Sequence, residues 1–143
     1  QNFSTVDLHV QFIGAIKDED AEMAEVAKRA FQAILAGLKP GISAAEVYQS
    51  WQDIVDGADM PHYRRHHCGY LVGIGFPPSW TGGNRVTGLR HDSDLRIAEG
   101  MTFHAMSWFT ETGRGDYFIS NTVLLGPDGA EVLTRTPMGP LIA

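Results

Sequence analysis

The chain has one cysteine among its 143 residues, and a single cysteine cannot form an internal disulfide. It also has few basic residues, because 11 lysines and arginines stand against 17 aspartates and glutamates, for a net charge of -6. Without a basic field to neutralise phosphates, a nucleic-acid partner is not expected. No apolar run approaches the roughly 18 residues of a membrane-spanning helix. These features predict a cytoplasmic protein that binds neither nucleic acid nor membrane.

The composition is that of one folded domain, with 43% hydrophobic and 20% charged residues. A chain of this length can bury an ordinary core, so we assign residues 1–143 to a single domain. Residues 6–12 alternate between apolar and polar side chains, which is typical of a strand with one solvated face. Because no partner strand is visible nearby, we expect that partner to precede Gln1, and the chain to be a fragment or a processed protein.

Two helices follow this strand. Acidic residues at 18–20 begin a stretch of apolar residues at helical spacing, which Pro40 and its following glycine end. A second helix begins with a capping box between Ser43 and Glu46, in which hydroxyl and carboxylate satisfy each other's backbone amides. Gly57 is expected to end it.

The rest of the chain has the pattern of strands and turns. Residues 101–109, 117–125 and 131–133 are rich in aromatic and branched side chains. Residues 126–129, Gly-Pro-Asp-Gly, predict a turn between the last two strands, because proline presets its backbone angle and glycine accepts a positive one. Residues 81–100 are expected to form an exposed connection. The order of elements predicts an α+β fold with helices on one face of a mostly antiparallel sheet.

Residues 66–80 include two adjacent histidines and the only cysteine of the chain, which are side chains that can act in acid–base or nucleophilic catalysis. His66 and His67 offer proton transfer near neutral pH. The competing interpretation is a basic surface loop that leads into a buried strand. Cys68 beside His67 is a further candidate, as a nucleophile, but adjacency in sequence does not establish the geometry that nucleophilic catalysis needs.

Five short motifs follow one another along the chain, namely residues 38–47, the pattern His66-x-x-Gly69-Tyr70-x-x-Gly73, and residues 100–103, 119–124 and 129–134. In this order they resemble the second half of the pita-bread domain found in methionine aminopeptidase, prolidase, aminopeptidase P and creatinase. The resemblance covers nearly the whole chain and implies a partial pita-bread fold, in which two helices pack on a curved, mostly antiparallel sheet. The chain would then be the C-terminal portion of one such domain.

In the peptidases of that superfamily, two aspartates, a histidine and two glutamates hold a pair of divalent metals. Three of these positions fall on Tyr70, Met106 and Ser120 in this chain. A phenol, a thioether and an alcohol cannot supply a hard anionic cage for such metals. Of the two aspartates, one would fall at or beside Asp7 and the other before Gln1. The resemblance therefore implies a protein with no metal and no other cofactor, and it points to the metal-free branch of ectoine hydrolase and creatinase.

Enzymes of that branch hydrolyse a C–N bond in a small amidine or guanidino solute, and without a metal this chemistry requires a base that takes a proton from water. His66 matches a substrate-side histidine of the family, and His104 lies on an apolar strand, so we predict both as catalytic. The alternatives are a surface imidazole at His66 and a satisfied core histidine at His104. The residues predicted to bind the small-molecule substrate are Tyr70, Ser120, Trp80, Trp108 and Arg65.

The same residues are also compatible with two other functions. One is a metallopeptidase like Xaa-Pro aminopeptidase or prolidase, and the other is a non-catalytic module that binds peptides. The resemblance also implies that a missing N-terminal half completes the pocket, so that this chain alone is expected to be inactive. It further implies a homodimer.

Overall fold

The structure is a computed structural model, and it describes residues 11–12, 15–60, 63–73, 87–110, 112–113, 116–134 and 137–142. Two helices pack on a four-stranded antiparallel sheet, which confirms the predicted α+β architecture. The elements in chain order are β1 (Gln11–Phe12), α1 (Asp18–Gly37), α2 (Ala44–Gly57), β2 (Gly69–Leu71), β3 (Thr102–Phe109), β4 (Tyr117–Gly126), β5 (Gly129–Val132) and β6 (Leu141–Ile142). The sheet has the order β2-β3-β4-β5, and β1 pairs with β6 in parallel.

Both helices begin where local chemistry predicts. The first turn of α1 carries three acidic residues, which are favourable near the positive end of the helix dipole. At the start of α2 the capping box is complete, because Ser43 Oγ accepts from the Glu46 amide at 3.3 Å and Glu46 Oε2 accepts from the Ser43 amide at 3.0 Å. No helix in the described parts of the chain is both long and apolar enough to cross a bilayer.

The two faces of the sheet have different roles. Along β3, Phe103, Ala105 and Phe109 face the helices and are fully buried in the hydrophobic core. Trp51 of α2 lies in this core and donates a hydrogen bond from Nε1 to Ser107 Oγ at 3.1 Å. The alternate residues of β3 and β4 point to the opposite face, which we call the site face. It carries His104, Met106, Trp108, Phe118, Ser120 and Thr122.

The hairpin between β4 and β5 has the predicted turn. Gly126 pairs with Gly129, which leaves Pro127 and Asp128 as the two loop residues. Gly129 has a φ of 126°, a backbone angle that side-chain-bearing residues rarely adopt. The turn residues therefore fix where β4 ends and where β5 begins.

One sequence expectation was wrong. Residues 87–97 are not a purely exposed connection, because Leu89 is fully buried and Ile97 is nearly so. This segment pairs with two distant parts of the chain: Leu89 exchanges backbone hydrogen bonds with residues 68–69, and Ile97 with residues 41–42. The described part of the first strand pairs with Leu141–Ile142, and a further partner strand before Gln1 stays a prediction. Residues 6–10 lie outside the described part of the chain.

Candidate active site

Three side chains form a row across the site face. Tyr70 of β2 pairs with His104 of β3, which pairs in turn with Thr122 of β4. The rings of Tyr70 and His104 lie 5.1 Å apart, centroid to centroid. His104 and Thr122 are each 3% exposed, whereas Tyr70 is half-buried. The sheet thus places an imidazole between a phenol and a second hydroxyl.

A second row lies one step further along the same strands. Met106 of β3 pairs with Ser120 of β4, and both are buried. Met106 stands apart from the hydrophobic core cluster, as expected for a residue on the site face. Tyr70, Met106 and Ser120, which the motif resemblance assigns to three ligand positions of the superfamily, therefore share one face of the sheet.

His67 is the central side chain of this region, although the sequence analysis named it only for proton transfer and chose His66 as the catalytic residue of the pair. Its ring stacks on Trp108 with centroids 5.5 Å apart, and its other ring neighbours are Tyr70 at 5.8 Å and His66 at 4.3 Å. Burial, helped by the positive charges of neighbouring groups, lowers the pKa of His67 to about 4. The imidazole is therefore neutral at pH 7, and its Nδ1 atom is buried without a hydrogen-bond partner.

His66 lies further out than the row of Tyr70 and His104. Its side chain is exposed and contacts Trp108 at 5.9 Å between ring centroids. It also lines an open pocket of about 400 Å³ beside α2, together with Tyr48 and His91. Partial desolvation and two nearby arginines lower the pKa of His66. The described contacts link His66 to His104 only through the intervening rings of His67 and Tyr70.

Arg65 is held against Trp108. Its guanidinium carbon lies 4.5 Å from the indole centroid, a cation–π arrangement. Its Nε donates to the hydroxyl of Tyr63 at 2.8 Å, and Nη2 donates to the carbonyl of Thr110 at 2.8 Å. These contacts fix the side chain at the border of the site. That Arg65 and Trp108 bind substrate stays a prediction, and Trp80 lies outside the described residues.

Cys68 does not have the environment of a nucleophile. The thiol is fully buried, and burial raises its pKa well above the ordinary value. The residue belongs to the hydrophobic core on the helix side of the sheet. The neighbouring backbone is paired as well, because the Cys68 amide donates to the carbonyl of Leu89 at 2.9 Å.

The donor set on the site face does not suit a pair of hard divalent cations. Such cations prefer several carboxylate oxygens, and the three matching positions carry the phenol of Tyr70, the thioether of Met106 and the hydroxyl of Ser120. Within the described ranges, no group of three His, Cys, Asp or Glu side chains comes together as a metal site would require. The polar groups that meet here are imidazoles and hydroxyls, which move protons and donate or accept hydrogen bonds.

Two curated proteins show what the sequence is similar to. Over 117 residues the chain is 33% identical to ectoine hydrolase of Halomonas elongata, and this match covers 76% of this chain and 28% of that protein. Over 125 residues it is 30% identical to Xaa-Pro dipeptidase of Lactobacillus helveticus, with 86% and 32% covered. The chain thus spans about a third of the length of these relatives.

The fold is that of solved dipeptidases. A dipeptidase from Pyrococcus horikoshii superimposes with a TM-score of 0.84 at 18% identity, over 99% of this chain and 38% of the other. This likeness confirms the partial pita-bread fold. The profile of metallopeptidase family M24 matches residues 5–127, most of the chain. The chain therefore belongs to metallopeptidase family M24, the superfamily that its motifs resemble.

Proposed function

We propose that the whole protein is a hydrolase that opens a C–N bond in a small amidine or guanidino solute without a metal ion. The likeness to ectoine hydrolase supports this substrate class. The observation that carries the proposal is the site face itself, where an imidazole lies between two hydroxyl groups. The motif resemblance supports it, because that resemblance assigns Tyr70, Met106 and Ser120 to three ligand positions of the family. Such a face suits proton transfer better than it suits metal binding.

His104 is the base in this proposal. Water adds to the electrophilic carbon of the amidinium group while the imidazole takes one proton from the water. The C–N bond then breaks as the imidazole returns that proton to the departing nitrogen, so that an amidine gives an amide and an amine. Tyr70 and Thr122, on either side of His104, hold the reacting group by hydrogen bonds. Trp108 contributes at the border of the site by holding the Arg65 guanidinium and the His67 imidazole in place.

His66 and Ser120 have supporting roles. The exposed ring of His66 meets substrate as it enters, on the solvent side of Trp108. Ser120 is buried one step along the site face and offers a further hydroxyl. Arg65, held over Trp108, places a positive charge at the border of the site, where it suits a carboxylate carried by the same solute.

The experiment compares three substrates in the full-length protein: ectoine, creatine and the dipeptide Ala-Pro. We expect turnover of ectoine or creatine, and a loss of about 100-fold or more in kcat for His104→Ala, since a positioned acid–base group contributes on that scale. Ser107→Ala is the matched control, because Ser107 lies on the same strand but faces the helices. Ectoine turnover that survives His104→Ala would overturn the role of His104.

A metal-dependent Xaa-Pro peptidase is the second candidate, and the 30% identity to Xaa-Pro dipeptidase favours it. This candidate requires carboxylates that the described site face lacks, so segments outside the described ranges would have to provide them. Cleavage of Ala-Pro with no turnover of ectoine or creatine would establish this candidate. Binding of Ala-Pro without any cleavage would instead indicate a peptide-binding module.

The whole protein is, in this proposal, a cytoplasmic homodimer in which a second half of the pita-bread domain closes the pocket. The short span of this chain within its relatives supports a site that is shared with further residues. Light scattering on the full-length protein tests the dimer. A monomer at micromolar concentration would contradict it.

A further inference from the structure

We propose that His67 Nδ1 and Thr122 Oγ1 are substrate-binding atoms, which accept hydrogen bonds from N–H groups of an amidinium or guanidinium solute that is held on the site face beside His104. This inference rests on the proposed function, because it assigns the same face of the sheet to the substrate. It adds His67 to the residues that hold the substrate, and it assigns one contact atom to His67 and one to Thr122.

Both atoms are buried without a partner. In the part of the chain that the structure describes, three buried side-chain atoms lack a hydrogen bond, namely His67 Nδ1, Thr122 Oγ1 and Asn121 Nδ2. His67 is 6% exposed and Thr122 is 3% exposed. Folded proteins pair nearly all buried polar atoms, because an unpaired one has lost its water without gaining a bond. An unpaired atom at a site is therefore one that a ligand can satisfy.

Two of the three unpaired atoms lie near the row of Tyr70 and His104, and the third lies on the other face of the sheet. Thr122 is the cross-strand partner of His104, and His67 contacts Tyr70, the partner of His104 on the other side. Thr122 thus lies directly beside the imidazole that we propose as the base, and His67 lies on the far side of the Tyr70 ring from it. Asn121 pairs with Ala105 and faces the helices, where its Oδ1 accepts from Thr134 Oγ1 at 2.7 Å.

The chemistry of the two atoms matches N–H donors. A threonine hydroxyl accepts as readily as it donates, and a neutral imidazole has one nitrogen that accepts. An amidinium or guanidinium solute presents N–H donors in several directions, so acceptors on opposite sides of His104 can hold its carbon near that base. The half-buried Tyr70 ring packs against the rings of both His67 and His104, so it lies between the two proposed contacts.

The first test separates binding from stability in the full-length protein. Thr122→Val removes the hydroxyl and breaks no hydrogen bond of that oxygen, so we expect its unfolding temperature to equal or exceed that of the wild type. Affinity for the bound solute should fall about five-fold, the size of one neutral hydrogen bond. Ser107→Ala is the matched control, because it removes a hydroxyl that accepts from Trp51, and it should lower stability and leave affinity unchanged.

The second test concerns His67. His67→Asn keeps an amide near the Nδ1 position, whereas His67→Gln places its amide near Nε2 and His67→Phe keeps only the ring against Trp108. We expect His67→Asn to retain more affinity than the other two, with a loss of about five- to ten-fold in His67→Phe. Equal losses in His67→Asn and His67→Phe would exclude Nδ1 as the contact.

Calorimetric titration with ectoine, creatine and Ala-Pro, one at a time, supplies the affinities. Unchanged affinity in Thr122→Val and His67→Phe overturns the inference, and so does a loss of affinity that only accompanies a loss of stability. If the wild type binds Ala-Pro alone, the proposed substrate class fails, yet the same variants still decide the role of the two atoms with that dipeptide. If the wild type binds none of the three, both proposals fail.

Discussion

The imidazole of His67 stacks on the indole of Trp108, with ring centroids 5.5 Å apart and an angle of 30° between the planes. The same indole donates a hydrogen bond from Nε1 to the backbone carbonyl of His67 at 3.1 Å. One side chain of β3 therefore fixes both the ring and the backbone of the segment that precedes β2. The orientation of His67 toward Tyr70 depends on this pair of contacts.

Trp108→Phe tests that dependence. The substitution removes the hydrogen bond to the His67 carbonyl and part of the surface that covers the imidazole, so the free energy of unfolding should fall by about 1–2 kcal/mol. The pKa of His67 should rise from about 4 toward its ordinary value, since burial is the main cause of its depression. Denaturant unfolding and an NMR titration of the imidazole measure both effects. An unchanged His67 titration would show that Trp108 does not bury this ring.

The pH dependence of stability tests the environment of His67 in the native protein. The unfolded chain binds a proton on this imidazole below about pH 6.5, whereas the folded chain does so only near pH 4. The contribution of His67 to stability is thus complete above pH 6.5 and is lost as the pH falls from 6.5 to 4, by up to about 1.4 kcal/mol per pH unit. We expect the unfolding free energy of the wild type minus that of His67→Phe to decrease as the pH falls from 6.5 to 4. If this difference stays constant or increases over that range, the burial of a neutral imidazole is contradicted.

Local chemistry was enough to predict both helices and the β4–β5 turn. The capping box of Ser43 and Glu46 and the Pro127-Asp128 loop act through neighbours a few residues away. Strand alternation is local too, and it puts His104 on the face of β3 opposite to that of Phe103 and Ala105. Such features need no knowledge of distant pairing.

Distant pairing explains what the sequence did not predict. Leu89 is buried where its backbone pairs with residues 68–69. The residues around it in sequence are polar, so local composition predicted an exposed segment. Adjacent imidazoles at His66 and His67 look alike in sequence. Contacts with Tyr70 and Trp108, which lie on two strands of the sheet, cover His67 and leave His66 exposed.

Gly88 is a position where a side chain does not fit. A Cβ there would overlap the carbonyl oxygen of Gly69 and the Cα of Tyr70, so Gly88→Ala must displace β2. We expect a loss of about 1–3 kcal/mol in unfolding free energy, together with weaker substrate binding through a shifted Tyr70. Gly57→Ala is the control, because nothing lies within 4 Å of its added Cβ and alanine favours the helix. Equal stability of the two variants, measured by denaturant unfolding, would argue against the close approach of Gly88 to β2.

The thiol of Cys68 should be unreactive in the native state. It is fully buried, and burial raises its pKa, so the thiolate that reacts with disulfide reagents is scarce at neutral pH. We expect no modification by a chromogenic disulfide reagent until the protein is unfolded in guanidinium, and retained activity in Cys68→Ala. Rapid modification of the native protein, accompanied by loss of activity, would return Cys68 to the list of candidate nucleophiles.

The requirement for metal tests the central claim most directly, because that claim depends on the side chains at Tyr70, Met106 and Ser120. The measurement is the turnover of ectoine and creatine by the full-length protein, before and after treatment with a chelator and again after addition of manganese. Our account predicts the same kcat in all three states. Activity that is lost on chelation and restored by manganese would contradict it.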